Sequence, residues 1–129
     1  MALARGLSRD DSEVIGFATR SLACEAINLS ELRQWCFEVM RQYDMSDLPP
    51  YIFELAEFDD SFSKVFGVIG FVPDLELSRR AEAALYGIAV RRGKQPFDWP
   101  VTPDVALRAL LEEPDVEARF RQQFVFVQW

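Results

Sequence analysis

The sequence predicts an all-α fold: a single compact domain over residues 1–129, with six or seven helices and a possible short C-terminal strand. Apolar residues recur at the helical spacings of three, four and seven through most of the chain. Prolines and glycines fall between these stretches, where helices begin and end. The chain has 129 residues, of which 50% are hydrophobic. It is therefore long enough to bury one core.

The first predicted helix covers residues 10–26, where Val14, Ala18 and Leu22 share one face. The second follows Ser30, a residue type that favours the N-cap position. Its apolar stripe consists of Leu32, Trp35, Cys36, Val39, Met40 and Tyr43. This broad stripe predicts a helix that is buried along one face.

Two consecutive prolines, Pro49 and Pro50, interrupt the helical pattern, and Pro50 is well placed to open the next helix. That helix is predicted over residues 51–58. A further short helix is expected before Gly70, because glycine is a favoured residue just beyond a helix end. Residues 65–72 are also compatible with a buried strand, since their length and β-branching allow it.

In the second half of the chain, Pro73 and Asp74 are predicted to open the longest helix, which ends near Arg92 and Gly93. The sequence Thr102-Pro103-Asp104 is a strong helix start, with a cap residue, a proline and then an acid. After Pro114 a last helix is expected over 115–124. Residues 124–129 are predicted to be either a strand or an apolar extension packed against the body.

The negative charge is concentrated in the middle of the sequence. Residues 44–77 contain eight carboxylates and one basic residue, Lys64. The formal charge of this segment is therefore −7, which equals the net charge of the whole chain. The carboxylates are Asp44, Asp47, Glu54, Glu57, Asp59, Asp60, Asp74 and Glu76. Such a field speeds encounter with a positively charged partner and repels nucleic acid and anionic lipid. We therefore expect a basic protein as partner, and neither nucleic acid nor membrane.

The chain contains no histidine. The usual general base at neutral pH and the commonest zinc ligand are therefore both missing. Carboxylate chemistry remains an alternative, because Glu54, Glu57, Asp59 and Asp60 are of the residue types that hold a divalent cation or act as an acid–base pair. Their positions are more typical of a solvated helix face and a turn. The sequence therefore predicts a protein that is not an enzyme and has no catalytic residue, metal or cofactor.

The longest uninterrupted apolar stretch, Val65–Val72, has eight residues. A membrane-spanning helix needs about 20. The N-terminal residues reach Arg9 and Asp10 before an apolar region of signal-peptide length develops. Cys24 and Cys36 form no Cys-x-x-Cys pair and are expected to be free thiols. These features predict a cytoplasmic protein.

Acidic and aromatic residues alternate in the first part of the acidic segment, which is typical of a protein-binding surface. The predicted partner-binding residues are Asp44, Asp47, Tyr51, Glu54, Glu57, Phe58, Asp59 and Asp60. In this interpretation the two rings anchor the partner and the acids speed its association. The alternative is that Tyr51 and Phe58 belong to the core and the acids form an ordinary solvated surface.

Two stretches carry a resemblance to a known group of proteins. They are Leu29-Ser-Glu-Leu-Arg-Gln-Trp35-Cys and Asp47-Leu-Pro-Pro-Tyr51-Ile-Phe-Glu-Leu55. With the acidic helical layout, they resemble bacterial immunity proteins, the cytosolic antidotes of contact-dependent growth inhibition and related polymorphic toxin systems. The resemblance implies tight binding to a basic toxin domain, often a nuclease, whose active-site cleft is masked.

The immunity proteins of nuclease colicins carry a Tyr-Pro-x-x-Gly-x-Asp-Asp motif. This chain instead has Tyr51-Ile-Phe-Glu and a separate Asp59-Asp60, so no contact residue is carried over from that group. An alternative function is an acidic regulatory or DNA-mimic inhibitor module that binds an endogenous basic protein. A duplex mimic needs carboxylates spaced like phosphates along an extended surface, whereas these cluster with apolar residues between them.

Overall fold

A computed structural model of the chain describes residues 4–95 and 98–129, and within these residues it contains seven α-helices and no strand. The helices are α1 (Glu13–Ala23), α2 (Leu29–Gln42), α3 (Tyr51–Leu55), α4 (Val65–Ile69), α5 (Arg79–Arg91), α6 (Pro103–Glu112) and α7 (Pro114–Gln123). Short 3₁₀ turns occupy Met45–Asp47 and Phe62–Lys64. The predicted all-α class, with six or seven helices, is confirmed.

The chain forms two compact units. Unit 1 comprises the described residues up to Leu22 and Asn28–Leu75, and contains most of α1 together with α2, α3 and α4. Unit 2 comprises Ala23–Ile27 and Glu76–Trp129, and contains α5, α6 and α7. Each unit has fully buried apolar side chains, such as Leu32 and Ile52 in unit 1 and Leu85 and Ile88 in unit 2. That the whole chain is one domain stays a prediction.

The start of α2 differs from the sequence prediction. Its N-cap is Asn28, not Ser30: the Asn28 side chain accepts from the Glu31 backbone N–H at 2.8 Å. In return, the Glu31 carboxylate accepts from the Asn28 backbone N–H at 2.9 Å. This reciprocal capping box satisfies two amides that would otherwise be left unpaired, which explains why the helix begins earlier.

The short helix α4 confirms the helical prediction for this segment and excludes the buried strand at residues 65–69. It ends at Gly70, whose φ of 91° is the left-handed conformation that glycine adopts without strain. The Gly70 carbonyl accepts a hydrogen bond of 2.9 Å from the Arg9 side chain. Arg9 also lies over the Phe71 ring, 5.4 Å from its centroid.

Helix α5 begins later than predicted. Residues 73–78 have no regular secondary structure, and the N-cap is Ser78, whose hydroxyl accepts from the Ala81 backbone N–H. The Asp74 N–H, which a helix start at Asp74 would leave free, instead donates to the Ser12 hydroxyl at 2.7 Å. This tertiary bond gives the Asp74 N–H a partner outside the helix. As a result α5 has 13 residues and is shorter than α2, which has 14.

In unit 2, helix α6 begins where the sequence predicts. The Thr102 side chain accepts a hydrogen bond from the Val105 N–H, and Pro103 lies in the first turn. After the last helix, residues 124–129 form a turn and irregular backbone, so the strand prediction is wrong and the apolar extension is confirmed. Phe124 and Val127 are buried. Arg121 lies 4.0 Å from the Trp129 ring centroid.

Candidate functional site

The acidic surface belongs mainly to unit 1. This unit carries twelve acidic and six basic side chains, a formal charge of −6, whereas unit 2 carries nine acidic and eight basic ones, a charge of −1. All eight predicted partner-binding residues lie in unit 1. The structure therefore places nearly the whole excess of negative charge on the unit that holds the candidate site.

The six acidic members of the predicted site lie at the surface. Asp47 is half-buried, and the other five are exposed: Asp44, Glu54, Glu57, Asp59 and Asp60. Asp60 pairs with Lys64 at 3.1 Å, and Asp59 lies 3.7 Å from Arg33. No ion pair or hydrogen bond joins the other four carboxylates to any residue that the structure describes.

The local fold explains the exposure of Glu54 and Glu57. They are three residues apart around the end of α3, so they point to the same side. Ile52 and Leu55 point to the opposite side and are fully buried. Both charges therefore remain in water.

Arg33 of α2 holds the segment that follows α3 in place. Its guanidinium donates a hydrogen bond of 2.8 Å to the Phe58 carbonyl and lies near the Asp59 carboxylate. Nothing local in the sequence indicates this role of Arg33, because the contact joins residues 25 positions apart. Arg33 is a positioning residue for the turn at Asp59 and Asp60.

The prediction that Tyr51 and Phe58 are surface anchors is corrected: their exposed fractions are 5% and 9%. Tyr51 and Leu55 lie four residues apart on the inward face of α3, and Phe58 is buried three residues beyond the helix end. The Tyr51 phenol donates a hydrogen bond to the Leu7 carbonyl, and its ring lies edge-on to Phe71 at 6.0 Å. Burial raises the pKa of Tyr51, and the nearby Cys36 thiol adds to this.

Other apolar residues of unit 1 are exposed beside the acids. Met45, between Asp44 and Asp47, is 74% exposed, and Phe62, shortly after Asp60, is 37% exposed. Tyr43, assigned from the sequence to the buried stripe of α2, is 38% exposed because the helix ends at Gln42. These residues, and not Tyr51 and Phe58, are the accessible apolar members of the acidic surface.

The described residues include no group of three or more His, Cys, Asp or Glu side chains positioned to hold a metal ion. The thiols Cys24 and Cys36 are buried and free. Burial raises the pKa of Cys36 to about 12, which keeps this thiol protonated at neutral pH. The predicted absence of a metal, a cofactor and an enzymatic role stays a prediction.

No protein family, curated protein or solved structure matches the chain. The immunity-protein function that the resemblance implies therefore stays a prediction. Within the described residues, no helix has the length and apolar character needed to cross a membrane.

Proposed function

We propose that the chain is an acidic cytoplasmic immunity protein that binds a basic toxin domain and neutralises it by masking its active site, with a nuclease as the expected toxin. One observation carries the proposal. Asp44, Asp47, Glu54 and Glu57 present four carboxylates without partners among the described residues, on a unit of charge −6. The role proposed is binding, without catalysis and without a cofactor.

Free carboxylates suit this role better than paired ones. A carboxylate that already forms an ion pair must give up that contact before it meets a partner's cation, whereas a free one keeps its full attraction. Opposite surface charge raises the association rate of two proteins, and its effect weakens as salt is added. A toxin that acts on nucleic acid has a basic cleft, which is the complementary surface.

The exposed apolar side chains favour a protein partner. Met45 lies between two acids, and Phe62 follows two others. Apolar side chains inside a ring of charge are the usual composition of a protein interface, where the apolar centre slows dissociation. They favour recognition of a protein surface, because a DNA mimic needs a continuous array of charge.

The proposal is tested by capturing partners from lysate of the protein's own source and of neighbouring strains, at low and at moderate salt. The bait is the tagged full chain. We expect one basic protein in equimolar amount, released by moderate salt more readily from bait in which Glu54 and Glu57 are changed to Lys. The purified chain should then abolish the toxic activity of that protein at a molar ratio of about one.

A bait with Asp10→Lys and Glu76→Lys is the matched control. Both residues are exposed, form no hydrogen bond or ion pair with other described residues, and their substitution changes the net charge by the same amount. This bait should retain the partner. Capture of a housekeeping DNA-binding protein, or of a basic protein whose activity is unchanged by the purified chain, would refute the antidote role.

A further inference from the structure

Unit 1 contains a small cavity between its N-terminal segment and the turn that follows α2. Its volume is about 150 Å³. It is lined by Ala4, Leu7, Ser8, Asp47, Leu48 and Pro49. Sites for drug-sized ligands measure about 300–1,000 Å³. With about 30 Å³ for each water in the liquid, this cavity has the volume of roughly five waters. Its size is therefore that of one amino-acid side chain.

Hydrogen bonds hold both walls of the cavity in position. The Ala4 N–H donates to the Asp47 carbonyl at 3.2 Å, which joins the N-terminal segment directly to the turn. The Tyr51 phenol donates to the Leu7 carbonyl from the core side. Between these points, the Gly6 N–H donates to the Asp11 carboxylate at 3.0 Å. The cavity is therefore formed before any partner arrives, and little ordering is required on binding.

The lining combines apolar walls with a single charge. Ala4, Leu7 and Leu48 are buried, and Pro49 is half-buried. Asp47 is the only charged residue of the lining, and its carboxylate has no partner among the described residues. The Ser8 hydroxyl already accepts from the Asp11 N–H at 3.2 Å. The site is thus a half-open apolar recess with one acidic residue in its lining, and the carboxylate of that residue is free.

Lysine and arginine side chains match this arrangement, since each has an apolar stem and a cationic end. A lysine side chain has five non-hydrogen atoms, which agrees with the volume of the cavity. A purely apolar side chain would cover Asp47 without pairing its charge, and burying an unpaired carboxylate is costly. An acidic side chain would be repelled by Asp47 and by the charge of unit 1.

We infer that this cavity receives one lysine or arginine side chain of the basic partner, with the stem against Leu7 and Leu48 and the cationic end on the Asp47 carboxylate. This inference rests on the proposed function for the identity of the partner. It assigns Asp47 a role different from that of Asp44, which lies outside the cavity. Asp47 selects a particular side chain, whereas Asp44 contributes only to the overall field.

The test is a titration of the isotope-labelled full chain with N-acetyl-lysine amide, followed by backbone amide chemical shifts. The comparison ligand is N-acetyl-norleucine amide, which has the same stem without the ammonium group. We expect saturable shifts at residues 4–8 and 47–48 with the lysine compound. The norleucine compound should bind at least about fivefold more weakly, the loss expected for a partly exposed ion pair.

Three variants make the test specific. Asp47→Asn should weaken binding of the lysine compound about fivefold, whereas Asp44→Asn should leave it unchanged. Ala4→Met, which fills the cavity and keeps the carboxylate, should abolish binding. Native-like amide spectra of all three variants establish that they fold.

Equal binding of the two compounds, an unchanged affinity in Asp47→Asn, or shifts spread evenly over the exposed acids would overturn the inference, as would the absence of saturable binding. The titration needs no toxin, so its result is independent of the capture experiment. If a toxin is captured but the lysine compound does not bind at the cavity, only the inference about the cavity is rejected. If the lysine compound binds at the cavity but no toxin is captured, only the antidote function is rejected.

Discussion

The Tyr51 phenol donates a hydrogen bond to the backbone carbonyl of Leu7, 44 residues earlier in the chain. Both residues are buried, with exposed fractions of 5% and 2%. This contact ties the N-terminal segment to α3, and it fixes one wall of the cavity beside Asp47. It also explains why an aromatic residue within an acidic stretch is part of the core: its one polar atom has a partner inside.

Removal of the Tyr51 hydroxyl group should destabilise the protein. In Tyr51→Phe the Leu7 carbonyl stays buried without a donor, so the free energy of unfolding should fall by about 1–2 kcal/mol. Urea denaturation followed by circular dichroism measures the change. Tyr43→Phe is the matched control, because Tyr43 is 38% exposed and its hydroxyl has no partner among the described residues. Similar losses in both variants would contradict this account.

Gly87 allows α5 and α6 to pack closely. A Cβ atom at Gly87 would clash with the Ala106 carbonyl oxygen and would lie 2.9 Å from the Leu110 Cβ. Gly87→Ala should therefore cost about 1–3 kcal/mol of stability. In α4, a Cβ at Gly67 meets nothing within 4 Å. Gly67→Ala should stabilise the protein by up to about 1 kcal/mol. Thermal melts of the two variants should shift in opposite directions.

The capping box of α2 gives a third prediction. Asn28→Ala removes the side-chain acceptor for the Glu31 N–H and should lower stability by about 1 kcal/mol. Ser30→Ala, two residues later, should change stability by less than about 0.5 kcal/mol, because Ser30 is exposed and has no capping role. Chemical denaturation of both variants measures the two losses in the free energy of unfolding. A larger loss in Ser30→Ala would show that the helix begins where the sequence predicted.

Stability should decrease in mildly alkaline solution. Burial raises the pKa of Cys36 from an ordinary value of 9.0 to about 12, so only the unfolded state loses this proton at pH 9–10. The stabilisation is complete below pH 9 and is lost as the pH rises toward 12. Over pH 9–10 the loss should be about 1 kcal/mol. Urea denaturation under reducing conditions should show this loss, and Cys36→Ala should make the pH dependence shallower, with a remainder from the buried Tyr51. An equally steep dependence in Cys36→Ala would assign it to other groups.

Changing Glu54 and Glu57 to Lys should slow association with the captured partner by roughly tenfold at low salt, while dissociation changes little. The reason is that these exposed charges act over distance during encounter. Stopped-flow mixing at two salt concentrations measures both rates. The pair Asp10→Lys and Glu76→Lys changes net charge equally and should slow association far less. Equal slowing by the two pairs would show that only total charge matters.

Sequence reasoning succeeded where the controlling chemistry is local. Thr102 followed by Pro103 begins α6, and Gly70 ends α4, because each signal acts within about one helical turn. Between Asn28 and Ser30, however, both residue types can cap a helix. Glu31 stands three residues after Asn28 and completes the capping box, and this signal is present in the sequence.

The start of α5 and the surface anchors could not be predicted in this way. Asp74 has the local chemistry of a helix start, but its N–H is bound by Ser12, 62 residues away. Tyr51 and Phe58 stand among acids, yet they face inward with Leu55. Arg33 reaches the Phe58 carbonyl from another helix. In each case the decisive partner is distant in sequence, and local periodicity contains no information about it.

By itself, the sequence determined the helical class, several helix ends and the excess of negative charge in the middle of the chain, because spacing, caps and charge are properties of neighbouring residues. Only the tertiary structure decided which aromatic rings are buried, which carboxylates stay free and that Asp47 lines a cavity. Those outcomes depend on hydrogen bonds and packing between distant residues, such as Tyr51 with Leu7 and Ala4 with Asp47. The chain must fold before such contacts exist.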